Sequence, residues 1–271
     1  MTLAVEMLKG ILEVFHETGQ VDGSLINDTA SAVVQNALRH EQSFRLTGLH
    51  HPLRPMSLSQ VAFLNAILFS HQSLIMGIGP TGTGKTHLAI AAGLNLLAEA
   101  RIKRIVITRP HVMMEGEIMT PALRAETERD DQLKSIEDVL YDLIGHDETK
   151  RLTEQDLLEI TPLGRMRGRT FKESVIIVDE AQNMTVRKMR MAVTRIGLGS
   201  RMIVTGDPAQ IDLRGDEPSG LTHLLGLVAS ADLAVVHYFE RHQIVRNEVV
   251  ARLEALYSQA DADAMNTRAA A

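Results

Sequence analysis

An α/β fold, with a mostly parallel sheet buried between helices, is predicted by three features of this 271-residue chain. Five short apolar runs recur along it, each closed by turn-forming or charged residues, the pattern of strands buried on both faces. Helix-periodic stretches separate those runs, as parallel strands require. The first run leads directly into a glycine-rich turn and then a helix, the strand–turn–helix unit of α/β domains.

The elements follow in order. Residues 1–55 carry two helical patterns, about 3–17 and 26–42, and Pro52 and Pro55 close this segment as a helical N-terminal extension. A short helix, LSQVAFLNAILFS, precedes the run SLIMGI. RIVIT (104–108), SVIIVD (174–179), RMIVTGD (201–207) and LAVVHYF (233–239) are the remaining strands. The main domain therefore spans 56–259, and the last twelve residues, 260–271, read as a disordered tail. There is no internal repeat.

Residues 79–86, GPTGTGKT, complete the pattern G-x-x-x-x-G-K-[ST] between the first strand and the helical stretch HLAIAAGLNLLAEA. This arrangement aims backbone N–H groups and a helix N-terminus at one point, where a triphosphate can sit. Gly79, Gly82 and Gly84 admit positive φ and let the backbone, with Pro80, Thr81 and Thr83, approach phosphates. Lys85 is placed to reach the β- and γ-phosphates, and the Thr86 hydroxyl to ligate magnesium. The pattern predicts a P-loop domain that binds a nucleoside triphosphate with magnesium.

VIIVDEAQN (175–183) supplies the second half of such a site. Asp179 ends a buried strand, where its carboxylate can hold magnesium directly or through water. Glu180 is then available to polarise a water attacking the γ-phosphate, which favours hydrolysis over transfer to a substrate hydroxyl. In TGDPAQIDL (205–213), Asp207 and Gln210 lie just past another strand end, where Gln210 can bond both γ-phosphate and water. Gly206, Asp207 and Pro208 equally suit a plain turn.

Composition excludes several alternatives. No apolar stretch approaches the ~20 residues that cross a bilayer. The first helical pattern carries acidic residues and no cleavage signal, so it does not read as a signal peptide. With no cysteine, disulfides and thiolate metal sites are excluded, which fits a cytoplasmic protein. The net charge of −6 restricts nucleic-acid contact to a local basic patch. Arg165, Arg167, Arg169 and Lys172 form one candidate patch for RNA phosphates, and a solvated basic loop is the equally open alternative. His50 and His51 lack the spacing or carboxylates of a zinc site, and His87 reads as packing or surface.

Taken together, GIGPTGTGKTHLAIAAG, VITRP, EITPLGRMRGRTFKESVIIVDEAQNMT, RMAVTRIGLGSRMIVTGDPAQIDL and FERHQIVRNEVV resemble the successive motifs of the PhoH family of ATPases, similar to the first motor domain of superfamily 1 helicases. The resemblance runs from about residue 57 to 258. It implies a single RecA-like domain that hydrolyses ATP with magnesium, a role in RNA metabolism, and a ring-shaped homo-oligomer, here expected to be hexameric. By the same resemblance Gln60 takes the place of an adenine-recognising glutamine, although a polar residue on an amphipathic helix is as good a reading. Arg109, in TRP, takes the place of a residue coupling nucleotide to nucleic acid, and Arg246 matches an arginine followed in the family by histidine, here by Asn247. After Glu115, Gly116 and Glu117 the chain departs from the family pattern, and residues 1–55 look too short and too helical for the family's RNA-binding-like N-terminal domain.

Three functions are consistent with these residues: an ATPase that remodels or unwinds RNA, an ATP-gated switch that docks a protein such as a nuclease or ribosome-maturation enzyme, and, least favoured, a small-molecule kinase. Motors of the first kind need an arginine on the transferring phosphoryl group. With one motor domain in the sequence, the expected source is a neighbouring subunit, with Arg246 first and Arg195 and Arg241 behind it.

Overall fold

The computed structural model describes residues 46–110, 121–213, 217–229, 231–240 and 243, with the backbone alone over 121–133. The two N-terminal helical patterns, the segment with Glu115–Glu117, Arg241, Arg246 and the tail 260–271 lie outside the described residues.

Six strands form one parallel sheet: β1 (Leu74–Ile78), β2 (Arg104–Thr108), β3 (Leu158–Ile160), β4 (Ser174–Val178), β5 (Arg201–Gly206) and β6 (Ala234–Tyr238). Their spatial order is β3-β2-β4-β5-β1-β6, and every pairing is parallel. Five were expected. The sixth, β3, has only three residues and lies at an edge, too short to show an apolar run.

The apolar runs work as double-faced strands. Ile75, Ile105, Ile107, Val175, Ile177 and Ile203 point into one core. Met76, Val106, Ile176, Val178, Met202 and Val204 point into the other, as the two-residue period of a strand demands. Helices α1 (Leu58–Phe69), α2 (Lys85–Ala98) and α3 (Pro121–Glu154) are assigned on the described backbone. Residues of all three cover the first face. A break in α3 occurs at Gly145, where φ is +76°. Two shorter helices, α4 (Val186–Val193) and α5 (Gly220–Val228), cover the second face. Ser57 caps α1 through its hydroxyl and Thr185 does the same for α4, satisfying first-turn N–H groups that would otherwise lack partners.

The strand that precedes Asp179 and the strand that feeds the glycine loop are not neighbours: β5 lies between them and pairs with both. The TGD segment after β5 is thereby delivered between the two halves of the site.

Candidate active site

The site lies at the carboxyl ends of β1, β4 and β5, where a parallel sheet leaves loops facing one crevice. The cleft has a volume of about 280 Å3. Loop residues Thr81, Gly82, Gly84, Lys85 and Thr86 line it on one side and Asp179, Glu180 and Asp207 on the other.

Backbone geometry shapes the loop. Gly79, Gly82 and Gly84 have φ of +141°, +85° and +85°. At Gly79 a Cβ would lie 2.3 Å from the carbonyl oxygen of Phe239, so space as well as conformation requires glycine there. Lys85 is buried, and its ammonium donates to the carbonyl oxygens of Gly79 and Pro80 at 2.6 Å each. Gln60 is also buried; its amide nitrogen donates to the Thr83 carbonyl at 3.0 Å and its oxygen accepts from the Met56 N–H. Both ends of that amide brace the loop from behind, and Gln60 is not among the residues lining the cleft.

The two acidic residues are held differently. Asp179 is almost wholly buried, and its Oδ1 accepts from the hydroxyls of Thr86 at 2.7 Å and Thr205 at 2.6 Å. Thr86 and Asp179 thus offer two oxygens at one point, a hard-oxygen pair that suits magnesium. Magnesium bound there would neutralise charge on the phosphates. Glu180 sits in the left-handed region at φ +49° and ψ +41°, a strained conformation for a residue with a Cβ and one that concentrates at functional sites. Its Oε1 accepts from Arg109 Nη2 at 3.0 Å and its Oε2 from Gln182 Nε2 at 2.6 Å, so both oxygens have fixed partners.

The loop after β5 joins this network. Gln182 Oε1 accepts from the Asp207 N–H at 3.1 Å. The Asp207 carboxylate accepts from the Ala209 N–H, so the turn suggested by the sequence is formed. Gln210 is exposed and its side-chain oxygen accepts from the Thr81 hydroxyl at 2.8 Å, which ties the loop after β5 to the phosphate loop.

Several residues of the site gave no sequence signal. Ser135 and Val139, on consecutive turns of α3, line the cleft with His87. One turn further, Asp142 stands 3.8 Å from His87 Nδ1. Burial lowers the His87 pKa below its ordinary value, more strongly than Asp142 raises it, so the neutral imidazole is favoured. Thr205 and Gln182 were given no role by the sequence, although they lie in the TGD and DEAQ strings.

The basic stretch before β4 is less uniform than its sequence. Arg165 and Arg167 are exposed after the carboxyl end of β3, whereas Lys172 is exposed just before the amino end of β4, at the opposite end of the parallel strands. Arg169 is engaged in a two-pronged pair with Glu159 and lies 4.6 Å from the centre of the Phe171 ring. Its hydrogen bonds hold the Glu159 carboxyl below its ordinary range. Arg195 points away from the cleft, bonded to the carbonyl oxygens of Met191 and Arg169. Among the described residues no group of three or more His, Asp or Glu is placed to hold a metal, and no helix is long and apolar enough to cross a membrane.

A parallel sheet in this order, a glycine loop opening α2 and a Thr86–Asp179 pair facing it define a RecA-like P-loop nucleotide-binding domain. The family model described as PhoH-like protein matches residues 52–258, and the chain belongs to that family. A PhoH-like protein of Bacillus subtilis is 36% identical over 207 residues, covering 76% of this chain and 64% of that protein. Protein PhoH of Escherichia coli K12 is 31% identical over 210 residues, covering 76% of this chain and 58% of its own length. The chain thus spans about three-fifths of the length of the curated relatives it matches. A SWI2/SNF2 ATPase core from Sulfolobus solfataricus, solved with double-stranded DNA, is similar at a TM-score of 0.45 and 15% identity, covering 73% of this chain and 47% of that one.

Proposed function

We propose that this chain hydrolyses ATP with magnesium and couples that cycle to remodelling or unwinding of RNA. The observation that carries the hydrolytic part is the convergence of Lys85, the Thr86–Asp179 pair and Glu180 on one cleft. In this reading the loop and Lys85 grip the phosphates, Thr86 and Asp179 hold magnesium, and Glu180 takes the proton of the attacking water. Exposed Arg165 and Arg167 support phosphate contact with RNA, and Arg169, paired with Glu159, is set aside from that role. A homo-oligomeric ring belongs to the same reading, and sedimentation across protein concentrations tests it.

A second reading, the ATP-gated switch that grips a protein, is favoured by the Thr81–Gln210 bond. Movement of Gln210 toward a γ-phosphate would shift the adjoining Ile211, which is exposed. Steady-state ATP hydrolysis with and without single-stranded RNA, with Glu180→Gln as blank, separates the two. RNA-stimulated turnover supports the motor, RNA-independent turnover supports the switch, and normal turnover by Glu180→Gln removes the catalytic assignment.

A further inference from the structure

Arg109, which by resemblance takes the place of a residue coupling nucleotide to nucleic acid and was a candidate RNA contact, lines the nucleotide cleft. It leaves the carboxyl end of β2, next to β4, and lines the cleft with Lys85, Thr86 and Glu180. Its Nη2 is 3.0 Å from Glu180 Oε1, and its Nε is 4.0 Å from Asp179 Oδ2. The other oxygen of Asp179 accepts from Thr86. The guanidinium is therefore one carboxylate's width from the magnesium position and in direct contact with the group that would receive the water's proton. Its other terminal nitrogen donates to the Ser135 hydroxyl on α3, which braces the head against the cleft wall.

Resting on the hydrolytic reading above, we propose that Arg109 is a catalytic residue that supplies in cis the cation on the transferring phosphoryl group. In that step the water oxygen bonds to the γ-phosphorus and the bond from that phosphorus to the bridging oxygen breaks. The water proton passes to Glu180, and ADP and phosphate leave. Negative charge gathers on the γ-oxygens and the bridging oxygen as the bonds exchange. A planar guanidinium already fixed by Glu180 and Ser135 can meet that charge without reorganising. The chain then needs no neighbour to complete its chemistry, even if it assembles into a ring.

The physical alternative for Arg109 is a structural clamp on Glu180, and the test separates the two. Arg109→Ala, Arg109→Lys and Arg246→Ala are compared with the unsubstituted protein for ATP turnover, ATP and ADP affinity, thermal midpoint, and affinity for ADP with aluminium fluoride, which mimics the phosphoryl group in transfer. Arg109→Ala is expected to bind ATP and ADP like the parent, to lose turnover by about 10³-fold or more, and to lose the extra affinity that aluminium fluoride confers. Arg109→Lys is expected to recover part of both. Specific activity of the parent should not change on serial dilution.

Parent-like turnover by Arg109→Ala overturns the proposal. So does a turnover loss that leaves the aluminium fluoride effect intact, since that is the mark of a clamp. Loss of that effect in Arg246→Ala, with activity that falls on dilution, assigns the cation to a neighbouring subunit and also overturns it. Absence of turnover by the parent protein overturns the hydrolytic reading itself.

Discussion

Replacing Thr205 by valine removes one hydroxyl from the site while keeping nearly the same shape. Thr205 is fully buried on β5 and its hydroxyl donates to Asp179 Oδ1 at 2.6 Å. Asp179 is itself 3% exposed, so water cannot easily replace that bond. A hydrogen bond to a charged group contributes about 1.5–3 kcal/mol. In Thr205→Val the same oxygen keeps its bond from the Thr86 hydroxyl, at 2.7 Å. Thr205→Ser is the control: it keeps the hydroxyl and deletes a buried methyl, at a cost of about 0.8 kcal/mol. The expected order of stability is therefore wild type, then serine, then valine. Thermal unfolding without nucleotide and with a chelator should show valine lower by about 3–12 °C, for a domain in which 1 kcal/mol moves the midpoint about 2–4 °C. Valine should also raise the magnesium concentration needed for half-maximal hydrolysis by about tenfold or more, since Asp179 would lose an orienting partner. If valine proves as stable as serine or more so, the Thr205–Asp179 bond does not matter as argued.

Gly79→Ala should lower the thermal midpoint and weaken nucleotide binding together, because φ of +141° alone costs an alanine about 1–3 kcal/mol and its Cβ would meet the Phe239 carbonyl oxygen at 2.3 Å; an unchanged midpoint refutes it. His237 packs between Phe63 and Phe239, with ring centroids 6.0 and 4.9 Å away, and burial lowers its pKa below 6.5. The unfolded chain then takes up this proton first as pH falls, so the stability contributed by neutral His237 is present above pH 6.5 and is lost below it. Urea midpoints at neutral and mildly acidic pH should diverge less in His237→Leu than in wild type, and equal divergence in the two proteins counts against it.

Most of the sheet was legible because its strands are buried on both faces. RIVIT, SVIIVD and RMIVTGD announce themselves as apolar runs, and their flanking residues mark where each strand stops. The glycine loop was legible for a different reason: its function depends on backbone conformation, which constrains residue types within eight positions. β3 was not legible. It is three residues long, with Glu159 at its centre paired to Arg169, so neither length nor hydrophobicity separates it from a loop. The α3 wall was missed because Ser135, Val139 and Asp142 are ordinary helix residues. Their significance comes only from the way α3 packs against α2, which carries His87.

Cations were the hardest residues to read, and the reason is electrostatic. A sequence shows where a guanidinium is attached but not which carboxylate it meets, and the partner decides between solvent-facing contact and internal work. Arg109 meets Glu180 across 71 positions and Arg169 meets Glu159 across ten. In sequence the two look alike, an arginine close to a strand. In space one occupies the cleft beside Asp179, while the other lies over Phe171 and fastens the β3 edge. The consequence is a difference in salt response. A contact with RNA through Arg165 and Arg167, both exposed, weakens steeply as salt releases the advantage of displaced counterions. The Arg109–Glu180 contact, recessed in the cleft, is screened much less. On the proposed reading, RNA affinity and the rate without RNA would be governed by different arginines, and raising salt would separate them within one protein.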